Sequence, residues 1–565
     1  MKRTFVLLVG AIVSLAAALA AHYAKSAEEP SLAKFAPPGA LLYLEAKDFS
    51  SLLARLNDSQ EKEKWLRSAN YEEFARSRLF LRLKDASAEF SSAAGLPADT
   101  QFVSQAAGSQ SALALYDIGK LQFLYIARLD TDRAEQSALL QSRGKFESRS
   151  ASGVTFYVRT DPQSGREIAY ATSNGYLLLA TRVDLIAAAL QNVATGGTNS
   201  VEGEAWWAHA IAQAGPRGDL RMVLNLEKIV PSPYFRSYWI QKNVTEMKGY
   251  SSAVSDLFIS GREYREERVL VKKPGNASVP SAVGAQDVAD LAQLVPSESG
   301  SYRIMAEPTP DASLALIETK LLSPHAGRGV PSKIAPQVQL TSGAAGDSND
   351  LETRIDQPPL RAAASPTTPN LKRLMNENPL TASLIVQNTN VSKDDGFVRF
   401  HTAIALLGST DWNSTTVRET LTDFVQPAMS ASNLGLHWQE KANHEELEGL
   451  WTLALTVHGR YLILSDDPIL LEEIVSKFGQ KTSIEPASFI AGFDHRDERE
   501  RFAQLTTALD YQDRGESDSA SRTPEYFSDN IASLSAVLGK VSSEKIVVRD
   551  AGQKVRQTVT YEWAE

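Results

Sequence analysis

This sequence predicts an α+β fold: two related lobes of antiparallel sheet with helices packed on one face, behind an N-terminal apolar helix that serves as a targeting segment or anchor. Three observations predict it. The stretch from Tyr176 to Leu190 (YLLLATRVDLIAAAL) lies without a gap on Tyr461 to Val475 (YLILSDDPILLEEIV), and each copy reads as an apolar strand, a polar turn and an amphipathic helix. Phe35 to Lys47 parallels Leu294 to Ala306, a Pro-containing turn leading into a strand through Tyr43 or Tyr302. Around these matches, paired strands alternate with helical stretches, which is the layer pattern of an α+β domain.

The elements follow in order. Residues 1–27 form a targeting segment and stand outside the fold argument. Lys2 and Arg3 precede an uncharged run from Thr4 to Ala21, and two readings compete. Ala18-Leu19-Ala20 offers a cleavage site, while extension to Ala24 reaches the roughly 20 residues a membrane helix needs. In the second case residues 4–24 anchor the chain in the inner membrane and the rest lies outside. Helices are expected over Phe49–Leu56, Tyr71–Ser92, Asp132–Gln141 and Val417–Asn433. Hairpins are expected where Ala112–Tyr116 meets the strand from Leu121 across Gly119-Lys120, where Val154–Arg159 meets Glu167–Ala171 across Asp161–Gly165, and where Leu450–Val457 meets Tyr461–Leu464 across Gly459. Tyr250 to Lys273 reads as a helical stretch followed by a strand from Glu267. Tyr526 to Trp563 reads as a helix through Ile531, Leu534, Val537 and Leu538, then a strand from Lys545, a turn at Gly552 and an alternating strand from Val555. The lobes are therefore 28–280 and 281–565. The distance from Tyr302 to Tyr461 exceeds that from Tyr43 to Tyr176 by 26 positions, and the Pro/Ala/Ser-rich segment 324–370 is the candidate insertion, flexible and without apolar periodicity. One continuous sheet shared by both copies is the alternative arrangement.

Composition narrows the function classes. No cysteine occurs in 565 residues, which removes disulfides, thiol catalysis and thiolate metal sites. That absence fits a bacterial envelope protein better than an extracellular eukaryotic one. Hydrophobic content of 43% and charged content of 22% are those of a globular chain, too long for one core. A dispersed net charge of −10 argues against nucleic acid as a partner.

Chemistry-bearing motifs are weak. There is no Gly-x-Ser-x-Gly elbow. None of the eight histidines forms a His-x-x-x-His pair, and His444-Glu445-Glu446 reads as a solvated turn. Gly327-Arg328-Gly329 has no strand before it and no helix after it, as a phosphate cradle requires. Asp130-Thr131-Asp132 lacks the Gly and Glu of a calcium loop. Asp494 to Arg501 alternates in sign and reads as an exposed helix. No catalytic, metal or cofactor-binding residue is assigned. The aromatic set is denser: Trp206 and Trp207 are adjacent, and Tyr234, Phe235, Tyr238 and Trp239 would share one side of a helix. Packing between helix and sheet accounts for them; a surface for an envelope protein partner is the functional reading.

The order of targeting segment, Pro-led strand with Tyr43, and Gly175-Tyr176-Leu177-Leu178-Leu179 strand entering a helix resembles a group of exported bacterial proteins of unknown function. The resemblance covers most of the chain outside 324–370. It implies an envelope location and no activity, so no functional residue is carried over from it. The expectation is a non-enzymatic scaffold or interaction protein on the periplasmic side, touching the membrane through the N-terminal helix if that stays uncleaved. One alternative is a binder of an apolar or lipid-like ligand held between sheet and helices; another is a hydrolase with an unrecognised site.

Overall fold

A computed structural model describes residues 30–233, 247–277, 281–322, 368–391, 398–430, 436–480, 484–496, 498–499 and 539–563. The targeting segment 1–27 lies outside them. Among the described residues no helix is long and apolar enough to cross a membrane. The described chain mixes helices with antiparallel strands, as the α+β class requires. The first half contains β1 (Leu42–Ala46), β2 (Gln110–Asp117), β3 (Gln122–Arg128), β4 (Glu147–Ala151), β5 (Val154–Thr160), β6 (Glu167–Ser173), β7 (Tyr176–Ala180), β8 (Leu220–Asn225), β9 (Tyr250–Ile259) and β10 (Glu263–Lys272). The second contains β11 (Ser301–Ala306), β12 (Leu380–Val391), β13 (Val398–Gly408), β14 (His437–Glu440), β15 (Glu445–Glu448), β16 (Thr452–His458), β17 (Tyr461–Ser465), β18 (Phe489–Asp494), β19 (Val541–Asp550) and β20 (Lys554–Trp563).

Spatial order in the first half is β4-β5-β6-β7-β3-β2-β1-β8-β9-β10. In the second it is β14-β15-β16-β17-β13-β12-β11-β18-β19-β20, the same path with every label raised by ten. Register agrees as well as order. Tyr125 opposes Leu179 and Ile404 opposes Leu464, so the gapless overlay of Tyr176–Leu190 on Tyr461–Val475 is the register the two sheets share.

β10 also pairs with β20, so hydrogen bonding continues from one half to the other, as in the shared-sheet arrangement. Following the ladder from Tyr43 gives Val223, Val254 and Val269; from Tyr302 it gives Gly492, Lys545 and Thr560. Val269 opposes Arg556 and Arg265 opposes Thr560, so exchanging the halves leaves the junction unchanged about the Glu267–Thr558 pair.

Helices cover both faces, which corrects the expectation of one. In β7, Leu178 and Ala180 pack with Ile186 and Leu190, whereas Leu177 and Leu179 pack with Phe90 and Leu140. In β17, Ile463 faces Leu471 and Ile474, whereas Leu462 and Leu464 face Leu421 and Phe424. Four consecutive buried residues in each strand leave no wet face, the pattern of a sheet sandwiched between helices.

Other differences have local causes. Tyr71–Ser92 is two helices, Ala69–Arg76 and Arg78–Ala94, because Ser77 is extended and its Oγ accepts from Phe80 N at 3.2 Å as a new N-cap. Ser137 likewise divides Thr131–Glu135 from Ala138–Gln141. The helix expected from Tyr250 is strand β9, since its backbone pairs with β8 on one side and β10 on the other. The helix expected through Ile531 lies outside the described residues. So does the expected insertion as far as residue 367, while its last three residues open the Thr368–Glu377 helix. Val386 stands 84 positions after Tyr302, against 71 from Tyr43 to Ala114, so half of the 26-residue excess falls in that connection.

Candidate functional site

Strand alternation divides the side chains of the first half between two faces. Tyr43, Ala112, Ala114, Leu124 and Ile126 join one buried cluster. Leu44, Leu113, Leu115, Phe123 and Tyr125 point the other way, and there they line a cavity of about 630 Å³. The Arg78–Ala94 and Thr100–Ala106 helices stand over it, contributing Ala86, Ser87, Phe90, Phe102 and Val103.

Each helix is held in place by a short sequence signal. Arg78–Ala94 stops at Gly95, which adopts φ 66° and whose absent Cβ would collide with the Arg159 guanidinium. Arg159 Nη1 donates to the carbonyls of Ser92 at 3.0 Å and Ala93 at 3.1 Å, joining the helix C-terminus to β5. Asp99 Oδ1 accepts from Phe102 N at 2.8 Å and starts the second helix. Phe90 stacks on Phe123 at 6.1 Å and meets the Phe102 edge at 5.7 Å, which props the cover on the sheet.

The lining is almost wholly apolar. Burial pushes the Tyr125 phenol up to about 12, so it stays neutral, and it donates to Ala106 O at 2.9 Å with Ser111 Oγ at 3.0 Å. The cation in the lining is Arg166, whose Nη2 lies 2.5 Å from Glu89 Oε2 and 3.2 Å from Lys120 O. Arg82 reaches the same carboxylate at 3.7 Å and donates to Gly119 O at 2.7 Å. Glu45, on β1, is a buried acceptor for Ser31 Oγ, Leu32 N, Tyr43 OH, Gln110 Nε2 and the Arg217 guanidinium, at 2.7 to 2.9 Å. It ties the leading segment and the cavity floor together. Burial first, and the Glu45 charge second, push the Tyr43 phenol well above its usual value.

The second half is built differently on the matching face. Ile385, Ile404 and Leu464, which hold the places of Leu113, Tyr125 and Leu179, are packed with Leu371, Met375 and Phe424.

Of the residues singled out from sequence, Trp206 and Trp207 are described and neither lines the cavity. Trp207 is buried in the cluster on the opposite face, edge-on to Tyr43 at 5.1 Å, so its ring belongs to the core and not to a surface. Trp206 packs beside it at 5.7 Å, partly buried. Tyr234, Phe235, Tyr238 and Trp239 lie outside the described residues. His444 is not on a solvated turn: it is buried, with Nε2 at 2.9 Å from Glu446 Oε1, and this hydrogen bond holds the Glu446 carboxyl below its ordinary value. The Asp494–Arg501 run is not a wholly exposed helix either, because Asp494 ends β18 and Glu498 is buried, accepting from Thr389 N at 3.3 Å. No group of three or more His, Asp or Glu among the described residues is arranged to hold a metal ion. The lining residues were missed because each reads as ordinary core. The available signal was the crowd of small and aromatic residues Ala86, Phe90, Ala98 and Phe102, which does not reveal whether the space between them is filled.

This geometry defines the class: an α+β protein with an apolar cavity between one sheet face and its helices. No family model matches the chain, and no curated protein does. Among solved structures it is similar to crystal form I of TP0453, 12% identical over 45% of this chain and 82% of that one, with a TM-score of 0.23. Crystal form III of TP0453 is 9% identical over 47% of this chain and 88% of that one, with a TM-score of 0.24.

Proposed function

We propose that this chain is an exported, non-enzymatic envelope protein that binds an apolar, lipid-like ligand in the cavity of its first half. The observation that supports this reading is about 630 Å³ of apolar space, within the range of small-molecule pockets. The space is open to the surface, so its apolar lining faces water when nothing occupies it. An apolar occupant removes that lining from water, at roughly 25 cal/mol per Å² of apolar surface covered. In this reading the chain is a duplication, with lobes 28–280 and 281–565, in which one copy keeps the cavity and the other has packed it. Residues 1–27 direct export to the periplasmic side and are then cleaved or kept as an inner-membrane anchor.

The test is mass spectrometry of organic extracts from the purified protein, beside an Ala86→Trp variant that fills the cavity. An acyl lipid carried by the wild type and missing from a folded Ala86→Trp supports the reading. Absence of any apolar molecule from the wild type, together with no rise in Tm on adding a long-chain fatty acid, overturns it.

A further inference from the structure

We infer that the helical arm between β1 and β2 docks on the surface of an anionic lipid bilayer. The arm comprises the helices Phe49–Asn57, Gln60–Leu66, Ala69–Arg76 and the start of Arg78–Ala94. The first two bury no residue. Five of the ten large apolar side chains exposed among the described residues, Leu56, Leu66, Leu81, Leu83 and Val103, fall on the arm and the adjoining cavity cover, a concentration in one region of the chain.

The arm is held together by its own aromatic rings. Trp65 meets Tyr71 and Phe74 at 6.2 Å, and Phe80 meets Tyr71 at 6.0 Å and Phe74 at 5.4 Å. None of the four belongs to a buried core cluster. The arm can therefore meet a second phase without opening the core.

Charge selects the occupant. In a chain of net charge −10, every charged residue between Glu73 and Asp85 is basic: Arg76, Arg78, Arg82 and Lys84. Arg76 pairs with Glu73 and Arg82 with Glu89, while Arg78 and Lys84 are exposed and form no ion pair among the described residues. Leucines and aromatics interleaved with Arg and Lys make the composition of a helix lying in a bilayer interface, with cations at the depth of anionic headgroups. The arm also runs into the cavity. Leu83, Ala86, Ser87 and Phe90 recur at helical spacing, so exposed Leu83 extends the lining stripe outward by one turn. An acyl chain leaving a bilayer under the arm has an apolar path inward.

Because the chain has no cysteine, single labels report single places. Full-length Leu66→Cys and Leu81→Cys, each carrying a polarity-sensitive fluorophore, are mixed with vesicles of phosphatidylcholine alone or with phosphatidylglycerol. Ile469→Cys, exposed on the second half, is the control. The expected result is a blue shift and quenching by brominated acyl chains at 66 and 81 but not at 469, strengthened by phosphatidylglycerol and reversed by salt. Adding Arg78→Glu and Lys84→Glu should weaken vesicle binding at least about tenfold. Labels at 66 and 81 that respond no more than 469, or that respond equally without phosphatidylglycerol, overturn the inference. So does a response that requires proteoliposomes, which would make the surface a protein-docking site. Arg78→Glu with Lys84→Glu, neither of which lines the cavity, should leave the lipid in the organic extract unchanged, so failure of the ligand reading and failure of this one are distinguishable.

Discussion

At the scale of residues, the two halves use equivalent positions for different ends. Two residues beyond Tyr43 stands Glu45, buried with the Arg217 guanidinium; two residues beyond Tyr302 stands Ile304, equally buried and apolar. A buried pair is costly to break from one side only. Glu45→Gln should therefore lower the stability of the chain by about 3–5 kcal/mol in urea titration, while Glu45→Ile with Arg217→Met should recover most of it. Gly492 opposes Tyr302, and a Cβ there would stand on the tyrosine ring. Gly492→Ala should cost about 1–3 kcal/mol by the same measurement, the penalty of overpacking. His495 carries a pH response. Burial holds its imidazole below the ordinary value, against the pull of Glu544 at 3.8 Å. The folded state then takes up that proton less readily than the unfolded state. The associated stability is complete above about pH 6.5 and is lost as pH falls through that value towards the lower folded one. His495→Asn should flatten the decline of the urea midpoint between about pH 7 and pH 5.

At the scale of elements, legibility followed period. β5 with β6, β2 with β3, and β16 with β17 were readable because a Gly- or Pro-containing turn separates two apolar runs, and each pairs as read. β9 was not, because Ser251-Ser252-Ala253-Val254-Ser255 has no clean alternation and acquires its conformation from strands on both sides. The single helix expected from Tyr71 failed at Ser77, where apolar spacing continues but the side chain competes for a backbone N–H. Ser77→Ala should remove that cap and lower stability by about 1 kcal/mol, read as a shift in thermal midpoint. The cavity belongs to this scale too. Its residues were legible as apolar, but whether helices press onto a sheet face or arch over it depends on how Gly95 and Asp99 aim them.

At the scale of the whole molecule, the β10–β20 junction governs. Removing one half would expose a strand of ten residues whose natural partner is its own structural equivalent. Residues 30–277 alone should therefore dimerise through β10 or aggregate, because an open edge is a template for pairing. Such a dimer places Glu267 against Glu267, where the intact chain has Thr558, so Glu267→Thr should strengthen it in analytical ultracentrifugation. Ligand chemistry is tested at the same scale. Each methylene buried in the cavity is worth about 0.8 kcal/mol, so shortening an acyl probe by two carbons should weaken binding roughly fifteenfold until the chain no longer fills the space.

By itself the sequence determined the repeat, the mixed class, the lack of thiol chemistry and the register of Tyr176–Leu190 against Tyr461–Val475. These are properties of residue order and local period, and a chain carries them before it folds. Only the tertiary structure decided that helices cover both sheet faces, that the halves join about Glu267 and Thr558, that Trp207 is core, and that Leu113 and Tyr125 line an open apolar cavity where their equivalents Ile385 and Ile404 are packed. Those outcomes depend on distances between elements far apart in the chain. The same leucine reads alike in sequence whether its neighbour is a packed methyl group or a cavity.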